Sequence, residues 1–157
     1  MTIIFYAVLN VLALYFFIKK KKNLHILEIL VYWMISSYLF QNFSALCYMN
    51  FKTIIIPDQL SYAFAHFINR IVLIPLLMVT FLHFFLTTSS NLKKLLLMII
   101  FIILFSGLEW LADFLGVFKH VHWQLWWSFS FWFACLLVLI GFMKFFRKIL
   151  FKGGFYV

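Results

Sequence analysis

A chain of 157 residues that is 67% hydrophobic and 11% charged, with a mean hydropathy of +1.09, cannot hide its apolar surface in one small water-soluble core, because surface falls too slowly with size. The net charge of +9 would point a soluble protein toward nucleic acid. Here the lysines sit in short clusters beside apolar runs, so membrane topology explains them and nucleic-acid binding has no further support. Few glycines and prolines, and no alternation of polar with apolar residues, argue against a β-barrel and for an all-α bundle with its backbone satisfied internally.

Five apolar runs predict one integral membrane domain, residues 1–157, of five transmembrane helices. The first, 2–18, is followed by Lys19, Lys20, Lys21 and Lys22. A secretory signal carries its charge before the apolar stretch, so this run reads as a retained span. His25 and Glu28 read as the start of the second helix, 27–49. NFKTIIIPDQ (50–59) reads as a loop, which Pro57 keeps from being helical. The third run, 60–86, contains Pro75 and is expected to kink near Ile71. TTSSN (87–91) marks a turn before the fourth run, 95–117, and the fifth is 123–143. Each run is near the ~20 residues that cross a bilayer.

Loop charge sets the expected topology. With the N-terminus outside, ten positive residues fall in inside segments: Lys19 to Lys22, Lys93, Lys94, Lys144, Arg147, Lys148 and Lys152. Only Lys52 and Lys119 fall outside, and Arg70 lies within the third run. This positive-inside bias predicts N-out and C-in, and makes the ten inside cations the expected contacts to lipid headgroups. Trp110, Trp123, Trp126 and Trp127 cluster toward span ends as an aromatic belt. Cys47 and Cys135 read as small apolar core residues rather than a disulfide or metal framework.

The polar residues of the runs recur at helical spacing. Ser37, Gln41, Ser44 and Tyr48 make one stripe; His66, Asn69 and Arg70 share a face; Ser106, Glu109, Asp113 and Gly116 make another stripe; Gln124 and Ser128 are one turn apart. Nearly all fall in the outer half of the membrane, with Thr80 and His83 the main exceptions. A charge deep in lipid costs at least about 2.5–3.5 kcal/mol, so such residues turn inward and pair. Matching depths predict an Arg70–Glu109 ion pair completed by Asn69 or His66, with Asp113 near water, His66 or His120. The candidate polar core or pocket is therefore Arg70, Glu109, Asp113, His66, Asn69, Gln41 and Ser106. A buried pair of this kind can also serve packing and register alone.

Glu109, Asp113, His120 and His122 are four potential metal ligands, but they match no H-E-x-x-H or comparable spacing. No nucleophile elbow or glycine-rich phosphate loop is present. No metal, cofactor or catalytic residue is assigned, and the reading leans away from an enzyme.

The stretch Glu109–Ser128 resembles the penultimate-to-last-span region of a family of small, poorly characterised multi-pass membrane proteins of spore-forming Gram-positive bacteria. The residues that carry the resemblance are Glu109, Gly116, Lys119 with His120 or His122, Trp123 and Ser128. It implies a bacterial plasma-membrane location and a link to the envelope or sporulation, and no activity. The first expectation for function is a non-catalytic protein that binds lipid, a partner membrane protein or a second copy of itself. The alternative is an outward-facing polar pocket that binds or moves a small solute or ion. A metal-dependent membrane enzyme comes third.

Overall fold

The structure, a computed structural model, describes residues 2–19 and 24–152; Lys20, Lys21 and Lys22 lie outside the described residues. Its helices form five rods. The first is α1 (Thr2–Lys19). The second is α2 (Ile26–Ala45), which runs on through a π-helical turn, Leu46–Asn50. The third joins α3 (Leu60–Ile68), a second π-helical turn (Asn69–Leu73) and α4 (Ile74–Thr87). The fourth is α5 (Asn91–Phe114) and the fifth α6 (Leu125–Lys152). Among the described residues, three stretches are long and apolar enough to cross a membrane: Leu60–Thr87, Asn91–Phe114 and Leu125–Phe151, with mean hydropathies of 2.0, 2.5 and 2.1.

Local chemistry explains the helix ends. His25 caps α2 through Nδ1, which accepts from the Leu27 N–H, while Glu28 reaches back to the His25 N–H at 2.9 Å. This reciprocal arrangement satisfies the open donors of the first turn. Pro75 sits in the first turn of α4, directly after the π turn. It has no N–H to offer the Ile71 carbonyl one turn earlier. The indole N–H of Trp33 donates to that carbonyl instead, at 3.0 Å. The expected disturbance near Ile71 is thus a π turn whose freed acceptor is met from α2. The fourth rod stops earlier than its apolar run because Gly116, at φ +72°, takes the left-handed position that glycine accepts without strain. The fifth helix continues past its apolar run to Lys152, through a basic last stretch.

Two short strands, absent from the sequence reading, tie the loops at one end of the bundle. β1 (Ile54–Ile55) pairs antiparallel with β2 (Lys119–His120), with Ile54 opposite His120 and Ile55 opposite Lys119. At the other end Arg147 of α6 meets Glu28 of α2. These two links place α2 and α6 antiparallel, with a sheet end and a lysine end. One apolar core, including Tyr32, Met78, Phe81, Phe105, Trp132 and Leu136, fills the bundle. A smaller one, including Tyr6, Cys47, Ile54, Ala112, Val117 and Phe118, lies beneath the sheet.

The burial pattern is inverted relative to a water-soluble protein. Glu28, Ser36, Ser44, His66, Ser106 and Ser128 are buried, whereas Ile4, Val11, Phe16, Ile100, Ile103, Phe133 and many other large apolar residues are exposed. Exposed apolar surface on this scale marks a face made for lipid rather than water.

Candidate functional site

The sheet end gathers the carboxylates that the sequence singled out. Glu109 and Asp113 lie one turn apart on α5 and present their side chains on the same face. The chain after them is turned back by a Schellman motif: the Val117 N–H donates to the Ala112 carbonyl and the Gly116 N–H to the Asp113 carbonyl, both at 2.9 Å. Val117 and Ala112 are buried in the same small core, the apolar contact that accompanies this motif. The reversed chain then pairs with β1, and the Val121 N–H adds a bond to the Thr53 carbonyl at 2.8 Å. His120 is thereby laid over the end of α5.

The His120 ring is held at both nitrogens. Nε2 lies 3.1 Å from Glu109 Oε1 and Nδ1 lies 3.0 Å from Asp113 Oδ2. The second oxygen of Glu109 accepts from the indole N–H of Trp132 at 3.0 Å. Trp132 is itself fixed by stacking on Phe105, with ring centroids 4.7 Å apart, and on Phe40, at 5.2 Å. Trp123 stacks on the other side of the system, on His120 itself, at 5.0 Å and 22°. His122, at φ +53°, turns the chain between them. Burial alone would lower the pKa of His120. The hydrogen bonds to Glu109 and Asp113, together with their charges, outweigh that and raise it above its ordinary 6.5.

The expected Arg70–Glu109 pair does not form. Arg70 Nη2 instead donates to the Gln41 backbone carbonyl on α2 at 3.0 Å, and its Nε has no partner among the described residues. Matching depths did not bring the two side chains together, and His120, delivered by the turn after α5, takes the position at the carboxylate. His66 approaches Ser44, with Nε2 and Oγ 3.5 Å apart, and meets Phe118 edge-on. His66, Asn69 and Glu109 do line one cavity, with Tyr6, but it holds only about 30 Å³, room for about two waters. Gln41, Ser106 and Asp113 lie outside its lining. Asn69 Oδ1 and Ser106 Oγ find no hydrogen-bond partner among the described residues. Tyr48, the last member of the α2 stripe, is exposed, and its neighbour Cys47 is buried.

Beside the carboxylate cluster lies a much larger groove of about 570 Å³. Its walls include Phe43, Cys47, Trp123, Trp126, Trp127 and Phe131, and no charged side chain lines it. These tryptophans, whose positions at span ends mark an aromatic belt, thus also wall a groove. Trp123 belongs to both features, since its indole N–H donates to Ser128 at 2.8 Å while its face covers His120.

A further carboxylate, at the position that the sequence marks as a helix start, is the buried one. Glu28 is wholly buried; it accepts from Tyr32 Oη at 3.1 Å and from Arg147 Nε at 2.7 Å, as well as from the His25 N–H. Arg147, expected among the headgroup contacts, is thus turned in to the bundle and lies over the Phe151 ring. Thr80 bonds back to its own helix at Leu76. Among the described residues no three His, Cys, Asp or Glu side chains are arranged to hold a metal ion. No protein-family model, curated protein or solved structure matches the chain.

Proposed function

We propose that this chain is a five-span protein of a bacterial plasma membrane, N-terminus outside and C-terminus cytoplasmic, that acts without catalysis by binding a lipid at its outer, sheet end. The single observation that carries this reading is the groove of about 570 Å³ walled by Phe43, Trp123, Trp126, Trp127 and Phe131. Its size is within the range of ligand sites, and its apolar, aromatic lining suits a lipid chain. It lies at a helix end, where amphipathic indoles meet the membrane interface and where lipid is the surrounding medium. Lipid is therefore a better occupant than a polar solute. The outward-facing polar pocket of the solute-binding alternative corresponds to the cavity beside Glu109, which measures about 30 Å³.

Three helices long enough to span and the ten-to-two split of cations between the two ends support the topology. The resemblance over Glu109–Ser128 supports a bacterial envelope setting, with sporulation as the associated process. The lysine end, carrying Lys19, Lys93, Lys94, Lys144 and Lys148, would contact anionic headgroups at about 1 kcal/mol per cation near the surface.

The test is lipid retention. The full chain is purified in mild detergent, washed, and its bound lipid is extracted and identified by mass spectrometry. Ser130→Trp, which places a bulky ring in the groove from its exposed wall, is purified in parallel. The expected result is a near-stoichiometric lipid on the wild type and its loss from the variant. Equal retention by both proteins, or none by either, would overturn the reading.

A further inference from the structure

The double grip on His120 carries a consequence for the groove. A neutral imidazole has one N–H and one bare nitrogen, so it can donate to one carboxylate only. In this structure each ring nitrogen lies within 3.1 Å of a different carboxylate oxygen. With Glu109 and Asp113 both ionised, both contacts are hydrogen bonds only when the ring is doubly protonated; in the neutral ring one lone pair then faces a carboxylate lone pair. We propose that His120 is a proton-operated latch: protonated, it fastens the α5–α6 connection to Glu109 and Asp113 and holds Trp123 as a wall of the aromatic groove; deprotonated, it releases one carboxylate and frees that wall.

The coupling is structural. His120 sits in β2, so its backbone is paired with β1. Three residues on, Trp123 stacks on the imidazole and lines the groove. A tilt of the ring away from either carboxylate must therefore move the indole. Trp132 keeps Glu109 in place throughout, through its bond to Oε2 and its stacking between Phe105 and Phe40. The released carboxylate is then the less constrained Asp113, whose side chain is 30% exposed against 11% for Glu109.

The charges acting on the ring are those of Glu109 and Asp113. Strand β1 presents apolar Ile54, and the loop between β2 and α6 presents Trp123. The other titratable or charged side chains on the packed elements are Tyr6 on α1, Cys47 on the π turn after α2, His66 and Arg70 on the third rod, and the exposed loop residues Lys52, Lys119 and His122. The two carboxylates favour the protonated ring, so the latch is closed below about pH 6.5 and opens as pH rises through the elevated pKa of His120. The device uses the wall of the groove, whatever the groove holds, and so stands or falls apart from lipid binding.

The test is a titration of the full chain in detergent, labelled with ¹³C at histidine Cε1 and with 5-fluorotryptophan. His120→Gln and Trp123→Phe assign the two resonances. The expected result is a His120 midpoint above 6.5, lowered by Asp113→Asn and lowered further by Glu109→Gln. The Trp123 fluorine resonance should move with that same midpoint and stop titrating in His120→Gln. If Glu109→Gln does not fold, Asp113→Asn still decides the matter, since it removes one grip at the more exposed side. A His120 midpoint at or below 6.5, or a Trp123 resonance indifferent to the His120 titration, would overturn the proposal. Neither result depends on whether lipid is retained.

Discussion

The molecule holds carboxylates at both ends, wholly buried at one and half-buried at the other, and neutralises them in different ways. At the lysine end Glu28 is wholly enclosed, and its partners are a backbone N–H, a phenol and a guanidinium. Arginine stays charged at any pH a cell meets, so this clasp has one state. At the sheet end the cation is His120, which can lose its charge within the physiological range, and it has two carboxylates to serve instead of one. The same problem, anionic groups taken out of water, is thus solved once with a permanent cation and once with a conditional one. The conditional one stands beside the large groove; the permanent one joins the start of the second rod to the end of the fifth.

Breaking the permanent clasp should have the largest effect. Arg147→Met leaves Glu28 buried without its cation and should cost about 3–5 kcal/mol of stability, the range for an uncompensated buried charge. Unfolding in detergent measures it. The double variant Glu28→Met with Arg147→Met should recover most of the loss, because a buried pair replaced by apolar side chains is often near neutral. If the single variant loses under 1 kcal/mol, the two ends do not differ as described.

His120→Gln should cost less, about 1–3 kcal/mol, since glutamine can still donate to one carboxylate. Its pH signature matters more than its size. The pKa of His120 is raised on folding, so its contribution is full below about pH 6.5 and is lost as pH rises through the folded value. Wild-type stability should therefore decline over that window. The decline should vanish in His120→Gln and persist in Arg147→Met, which separates the two ends by slope as well as by magnitude. Asp113→Asn should cost no more than about 1 kcal/mol, as its side chain is partly solvated, while reducing the slope.

Much of this arrangement is written locally and was open to reading. The apolar runs mark the rods, the lysine asymmetry distinguishes the ends, the i and i+4 spacing puts Glu109 and Asp113 on one face, and Gly116 marks the place where α5 must stop. Pro75 announces a disturbed turn at Ile71. What escaped depends on contacts between distant segments. Depth along a helix says nothing of the direction in which a side chain points, so Arg70 and Glu109 could match in depth and still not meet. The position of His120 depends on a two-residue ladder between loops on either side of the third and fourth rods. Arg147 and Glu28 are 119 residues apart, and nothing near either residue names the other. Trp132 looks like any aromatic of an apolar span until its N–H is seen on Glu109.

Arg70 offers the smallest expected change and the sharpest check on that correction. It is a cation near the middle of the third rod with no carboxylate, one hydrogen bond to the Gln41 carbonyl, and an Nε without a partner among the described residues. Arg70→Met removes one hydrogen bond, worth about 1 kcal/mol, and also removes the cost of keeping a charge within the bundle. The two effects oppose each other, so stability should change by less than about 1 kcal/mol in either direction. Were Arg70 the partner of Glu109, the same variant would leave a carboxylate unpaired and cost as much as Arg147→Met. A near-neutral Arg70→Met beside a costly Arg147→Met would establish that a cation's importance in this bundle follows from the carboxylate it holds and not from its depth.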